Sequence, residues 1–364
     1  MKGRELQYIS LKNRREERMM KELSRSQQLA LDYMNGYARK HDHESTEIIN
    51  HILKMSNIQR DIFNKAVLRL KDNARIGIHF HPDRPVSSMK SVAEALLEQG
   101  IYKSQFETLI SNGSVSALPG GERDLWENRI FGGAYQTEGT TNHQRPKYGA
   151  LNIMMHPDGP APRFGSCYFL LSPEVSARST FTYLDSHQDP KEKGTYEMFN
   201  MILAALLEET FTRESAIGEK NLTPSRLINH LLVDLKKDLS NPENMEPNRN
   251  LNHYIEAQVH GDISLAEEDV DVLVADPSFK ETKIGVILEK LCRTYSIDLY
   301  WHKGFVLKVD EVPTDFRGPS MPSLAKRIAQ NQCINASIIG CAVMDLHRNP
   351  QKWQDRGSYK EVLQ

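Results

Sequence analysis

The chain has 364 residues, with 46 Lys and Arg against 48 Asp and Glu, a formal net charge of −2. That length supports a substantial core. The near balance of charge excludes a purely electrostatic binder of nucleic acid, and no apolar run nears the ~20 residues of a membrane span. The opening Met1–Lys21 lacks the apolar centre of a secretory signal. Cys167, Cys292, Cys333 and Cys341 are far apart with no C-x-x-C pairing, so neither a structural zinc site nor a disulfide framework is expected. The protein reads as one made in a reducing cytoplasm. Delivery into a host cell without a cleaved signal is compatible with that reading.

In chain order, Ser24 and Gln27 form a capping-box pattern before Leu29, Tyr33 and Tyr37. Apolar stripes at Ile48, Ile49, Ile52 and Leu53, and at Ile58, Ile62, Ala66 and Leu70, predict two more helices. Such helices need partners, so residues 1–73 are expected as a helical segment packed on a unit spanning 74–364. The basic stretch Lys12–Lys21 reads as a solvated arm. Arg75–His81 alternates and predicts a strand, ended by Pro82. A helix is expected over about Ser88–Gln99, closed by Gly100. Ser111–Arg163 is rich in Gly, Asn, Pro and Thr and reads as long loops with short strands; Trp126, Phe131, Tyr135 and Tyr148 argue that they are ordered. Strands follow at Ser166–Leu171 and Ser179–Leu184, helices at Tyr196–Phe211 and Pro224–Leu239, and a polar linker at Asn241–Asn250. Strands at Tyr254–Gly261 and Val270–Val274, a helix near Ile284–Tyr295, a hairpin-like Leu299–Val309 and a C-terminal helix near Ser323–Leu346 complete the chain. This order describes an α+β protein with a mixed sheet, not a regular βαβ alternation.

Several clusters can carry chemistry. His79, His81, Asp83 and Arg84 gather at a strand end. His-x-His is a ligand spacing, and His187, His260 and Asp276 are candidates to complete a metal site. No H-E-x-x-H pattern supports it, and His beside Arg suits the pyrophosphate or ribose of a nucleotide better. Ser179-Thr180-Phe181 offers hydroxyls to order a carboxylate and an aromatic to stack on a flat ring; threonine's preference for strands is the plainer account. Two basic–aromatic–glycine runs, Arg145–Ala150 and Arg163–Tyr168, suit an anion clamp or simply a pair of tight turns. Cys167 reads as a buried, inert thiol.

The most informative stretch is Tyr254–Gly261. A side-chain period of two puts Glu256, Gln258 and His260 on one face and Ile255, Ala257 and Val259 on the other. A buried glutamate in that setting suits a general base or a stabiliser of a cationic transition state. The plainer account is a salt-bridged structural carboxylate.

The runs IHFHPDRP, YKSQFETLISNG, PGGERDLWENRIFGGAY, RPKYGALN, RFGSCYFLLSPEVSARSTFTYLDS, YIEAQVHG, VADPSF and DFRGP resemble a family of bacterial proteins catalogued as a domain of unknown function, from about Ser24 to near Ala329. Members of that family include bacterial effector toxins that ADP-ribosylate a threonine of host ubiquitin. The resemblance implies an ADP-ribosyltransferase-like catalytic unit over 74–364, NAD as a substrate, no metal, and a protein acceptor, with ubiquitin suggested by likeness alone. ADP-ribosyltransferases share three sparse elements in chain order: a His or Arg on an early strand, a Ser/Thr-rich strand, and a Glu on a late strand. Here these correspond to His81 or Arg84, to Ser179-Thr180-Phe181, and to Glu256. Phe181 replaces the last hydroxyl of that pattern, and Glu256-x-Gln258 departs from the usual Gln-x-Glu or Glu-x-Glu. The resemblance thus implies Glu256 as the catalytic residue and His81, Arg84, Tyr148, Arg163, Ser179, Thr180, Phe181 and Gln258 as NAD contacts, with Phe181 or Tyr148 on nicotinamide and Arg84 and Arg163 on pyrophosphate. Cleaving the nicotinamide–ribose bond passes through an oxocarbenium-like centre, as in glycoside hydrolysis, and one carboxylate can stabilise it. Two other functions fit the residues: a metal-dependent hydrolase using His79 and His81, and a non-enzymatic partner-binding protein using the N-terminal helices.

Overall fold

The computed structural model describes residues 22–86, 90–109, 116–236, 249–315 and 318–356. Its principal helices are α1 (Arg25–Lys40), α2 (Asp42–Met55), α3 (Arg60–Asn73), α4 (Val92–Gln99), α5 (Glu122–Phe131), α6 (Asn200–Arg213), α7 (Pro224–Val233), α8 (Lys283–Tyr295), α9 (Met321–Ile328) and α10 (Ala336–Arg348). One mixed sheet contains eight strands: β1 (Ile76–Phe80), β2 (Lys147–Leu151), β3 (Cys167–Leu171), β4 (Ser179–Tyr183), β5 (Lys193–Thr195), β6 (Ile255–Val259), β7 (Val270–Ala275) and β8 (Asp298–Trp301). Their spatial order is β8-β7-β3-β1-β2-β6-β4-β5. β7 and β8 run parallel, and the other neighbours are antiparallel. The protein is α+β, with a large mixed sheet and helices at both ends.

The expected capping box opens α1, with Ser24 Oγ accepting from the Gln27 N–H and Gln27 Oε1 accepting from the Ser24 N–H. The apolar stripes of α2 and α3 are also where periodicity puts them. Ile49, Ile52, Leu53, Phe63 and Leu70 enter the main core. Five such side chains at about 1.5–3 kcal/mol each make these helices part of the core rather than an appended lid. Lys12–Lys21 lies outside the described residues.

Strand register sorts the sheet into two faces. Ile76, Ile78, Phe80, Phe169, Phe181, Ile255, Ala257 and Val259 join the main core beneath α2, α3, α4, α6, α7 and α8. The opposite face is polar at its centre. Tyr148 stands opposite Gln258, which stands opposite Thr180; Ala150 stands opposite Glu256, which stands opposite Thr182. Burying both faces forces every residue of β1, β3, β4 and β6 inside. α1 and α5 cover part of the polar face through Ala30, Met34, Trp126, Ile130 and Phe131. The 152–166 connection covers more of it, and glycine makes that approach possible. A Cβ on Gly159, whose φ is +83°, would lie 2.4 Å from the His79 ring, and one on Gly165 would lie 2.4 Å from the Phe80 backbone.

Several expected elements differ. α4 starts at Val92, not near Ser88, because Ser91 and Glu94 form a capping box there. Leu299–Val309 is not a hairpin. β8 returns from α8 to pair parallel with β7, while Val306–Lys308 pairs with Cys333–Asn335. That same short strand splits the expected C-terminal helix into α9 and α10, and Asn335 caps the second. α7 ends at Val233, and Leu239 with most of the 241–250 linker lies outside the described residues. α5 lies where loops with short strands were expected, while β2 is one of those short strands. No helix among the described residues is long and apolar enough to cross a membrane.

Candidate functional site

A cavity of about 320 Å³ opens on the polar face, where the end of β1 meets β2, α5 and the turn after β4. Small-molecule sites begin near this size. His81, Arg84, Tyr148, Arg163 and Glu256 all line it, joined by Arg123, Trp126, Phe164, Asp185, His187 and Tyr254. A larger hollow of about 940 Å³ lies around Arg75 and Asp271 and contains none of the residues singled out from sequence.

Glu256 is 5 % exposed and sits mid-strand in β6. Its Oε1 accepts from Ser186 Oγ and, at 2.9 Å, from Gln258 Nε2. No cation pairs with it among the described residues. Burial, then the nearby Asp185 charge, pushes its carboxyl up to about 7. Asp185 itself accepts from Tyr254 Oη at 2.9 Å.

Behind Glu256 runs a buried chain of neutral groups. Gln258 Oε1 accepts from Thr180 Oγ1 at 2.7 Å, and Thr180 Oγ1 lies 3.1 Å from His260 Nε2. His260 Nδ1 meets the Tyr135 hydroxyl. Thr180 has spent its proton on Gln258, so His260 must donate from Nε2 and accept at Nδ1. Burial holds the His260 ring neutral, with its pKa down at about 3. The donors along this chain therefore run toward Glu256, which fixes the carboxylate's rotamer.

The other sequence candidates divide. Thr180 and Gln258 support Glu256 from behind and do not line the cavity. Ser179 and Phe181 face away from it. Ser179 Oγ donates to Val175 O at 2.8 Å, and Phe181 packs edge-on to Phe199 at 5.3 Å in the main core. The expectation that Phe181 stacks on a ligand is therefore corrected by strand parity: odd-numbered residues of β4 lie under the helices. Both ring nitrogens of His79 are taken, Nδ1 by Gly165 O at 2.8 Å and Nε2 by the Ala161 N–H at 3.2 Å. His260 is committed to Thr180 and Tyr135, and Asp276 lies beside His302 at 3.8 Å. The group proposed around His79 and His81 as metal ligands is thus not assembled. Among the described residues no cluster of three or more potential ligands occurs. His81, held neutral by burial with its pKa at about 4, keeps its place in the cavity wall.

α5 supplies the wall that sequence reading missed. Glu127 is fully buried; its Oε2 accepts from Arg145 at 2.8 Å and its Oε1 from the Tyr148 hydroxyl at 2.8 Å. Burial raises its carboxyl to about 7, against the lowering effect of Arg145. Arg145 also pairs with Asp124 at 2.6 Å. Arg123 lies over the rings of Trp126, at 4.4 Å, and Tyr148, at 5.0 Å. The signal for this helix is PGGERDLWENRIFGG, with glycines at both ends, acids in the first turn and Arg129 in the last. It gives little amphipathic contrast, because Arg123, Asp124 and Glu127 are buried alongside Trp126 and Ile130. Ser186 and Asp185 carry no sequence signature beyond a turn.

Comparison with curated proteins gives no match. A family model described as "Protein of unknown function (DUF3626)" matches residues 75–364, beginning where α3 gives way to β1. With that much of the chain covered, this protein belongs to the DUF3626 family.

Proposed function

We propose that the protein is an NAD-dependent mono-ADP-ribosyltransferase acting on a protein side chain, built on an ADP-ribosyltransferase-like core. One observation carries this reading: Glu256 is a buried carboxylate in a cavity wall with only neutral partners, among the described residues, within hydrogen-bonding distance. A carboxylate left uncompensated in a low-dielectric site interacts strongly with positive charge that develops beside it. In the proposed reaction the bond from ribose C1′ to the nicotinamide nitrogen breaks, and its electron pair leaves with nicotinamide. An acceptor oxygen bonds to C1′, and its proton passes to Glu256 or to water. Glu256 stabilises the cationic ribose, while Ser186, Gln258, Thr180 and His260 hold its orientation. His81, Arg84, Tyr148 and Arg163 line the same cavity and are the proposed contacts to NAD. Ser179 and Phe181 have no place in it. A threonine of ubiquitin is the acceptor that the sequence resemblance favours.

The test is direct. NAD raises the thermal midpoint of the wild-type protein, and labelled NAD incubated with a eukaryotic lysate yields a modified protein identifiable by mass spectrometry. Glu256→Gln keeps the NAD-induced shift and loses nicotinamide release. A wild-type protein that neither responds to NAD nor turns it over with any acceptor ends this reading.

A further inference from the structure

Arg123 is 5 % exposed, yet among the described residues no carboxylate pairs with it. The acid four residues on, Glu127, commits both oxygens to Arg145 and Tyr148. The Arg123 Nε–H and the Trp126 Nε1–H, about one turn apart on α5, are both buried without an acceptor among the described residues. Both residues line the cavity that Glu256 lines. A desolvated guanidinium with an unmet N–H is costly, and the aromatic faces of Trp126 and Tyr148 offset only part of that cost. An unmet N–H on a buried cation, beside a second unmet donor on a neutral indole, defines a place for acceptor oxygens carrying negative charge. Planar guanidinium and phosphate match in geometry, and an indole N–H can only donate.

We infer that Arg123 and Trp126 form an anion-binding wall that takes a phosphate-bearing group. This rests on the reading above for naming the pyrophosphate of NAD as that group; an anion site as such does not need it. Arg123 is better placed for the role than Arg163, which is exposed, stacked on Phe164 and bonded to Asn252. The wall also accounts for polar residues buried on α5: Arg145 holds Glu127, Glu127 holds the Tyr148 hydroxyl, and the Tyr148 ring lies 5.0 Å from the Arg123 guanidinium.

The test titrates the full chain with inorganic pyrophosphate, ADP-ribose, NAD and adenosine, followed by calorimetry and tryptophan fluorescence. ADP-ribose is expected to bind at least about tenfold more tightly than adenosine. Arg123→Met is expected to weaken ADP-ribose by about 10- to 100-fold, the range for a charge-assisted hydrogen bond, and to leave adenosine within about twofold. Trp126→Phe keeps the ring and loses the N–H, and is expected to cost about threefold or more. If Arg123→Met does not fold, Arg123→Lys decides, because it keeps the charge, loses the planar fork and is expected to cost about tenfold. Unchanged affinity for ADP-ribose and pyrophosphate in the folded variants overturns the inference, as does a wild type that binds neither anion. Arg123-dependent binding of pyrophosphate without binding of NAD or ADP-ribose keeps the wall and ends the NAD reading. NAD binding indifferent to Arg123 does the reverse.

Discussion

Two buried glutamates divide the work of the polar face. Glu127 on α5 and Glu256 on β6 are both pushed up to about 7, chiefly by burial. Glu127 is compensated inside the fold, by Arg145 and Tyr148, and does not reach the cavity. Glu256 reaches the cavity and, among the described residues, hydrogen-bonds only to neutral groups. Burial alone therefore does not distinguish the two carboxylates; the missing counter-charge does. The same contrast holds for the cations, since among the described residues Arg145 is paired twice and Arg123 is not.

The sharpest way to break this comparison is to remove the structural member. Glu127→Ala leaves Arg145 half-compensated and the Tyr148 hydroxyl without its acceptor, and is expected to cost about 3–5 kcal/mol in urea denaturation. A loss under about 1 kcal/mol would show that Glu127 is no structural anchor. Glu256→Gln is expected to behave oppositely, cutting nicotinamide release by about 10²- to 10³-fold with the fold retained.

The proton on Glu256 can also be followed by pH. Glu256 holds its proton up to about 7 in the folded chain, whereas an unfolded glutamate releases it near ~4.3. Between those values the folded state binds more protons, so the wild type loses stability as pH rises. Glu256→Gln removes that loss. Its stability relative to wild type is expected to be greater at pH 8 than at pH 4 by roughly 3–4 kcal/mol, and turnover by the wild type is expected to rise through pH 7. A pH-independent difference would mean that Glu256 has other partners in solution.

The smallest expected effect lies behind the carboxylate. Thr180→Val leaves Gln258 Oε1 and His260 Nε2 unmatched, at about 1–3 kcal/mol, and is expected to lower turnover modestly while NAD affinity holds. A change in affinity without a change in turnover would place Thr180 in binding instead of positioning.

Much of this architecture is legible in the chain itself. Stripes at Ile49, Ile52 and Leu53 and at Ala66 and Leu70 announce α2 and α3, because an apolar stripe has one way to leave water. The alternation of Tyr254–Gly261 announces a strand with a polar face, and alternation also separates Thr180 from Phe181. What alternation leaves open is which face meets a cavity, so Phe181 reads as a ligand contact until β4 is seen packed beneath Phe199. α5 is hidden for a related reason. Its buried side includes Arg123, Asp124 and Glu127, so its sequence lacks the contrast that periodicity detects.

The sequence by itself determined the α+β order, most helices and strands, and the identity of Glu256 as the residue to examine, because local periodicity reports how each segment buries its apolar side. Only the tertiary structure decided that Ser186 and Gln258 hold Glu256, that Glu127 is neutralised by Arg145, and that Arg123 and Trp126 keep unmet donors at the cavity. Charge compensation is settled across space, between residues far apart in the chain, and no spacing within one segment records it.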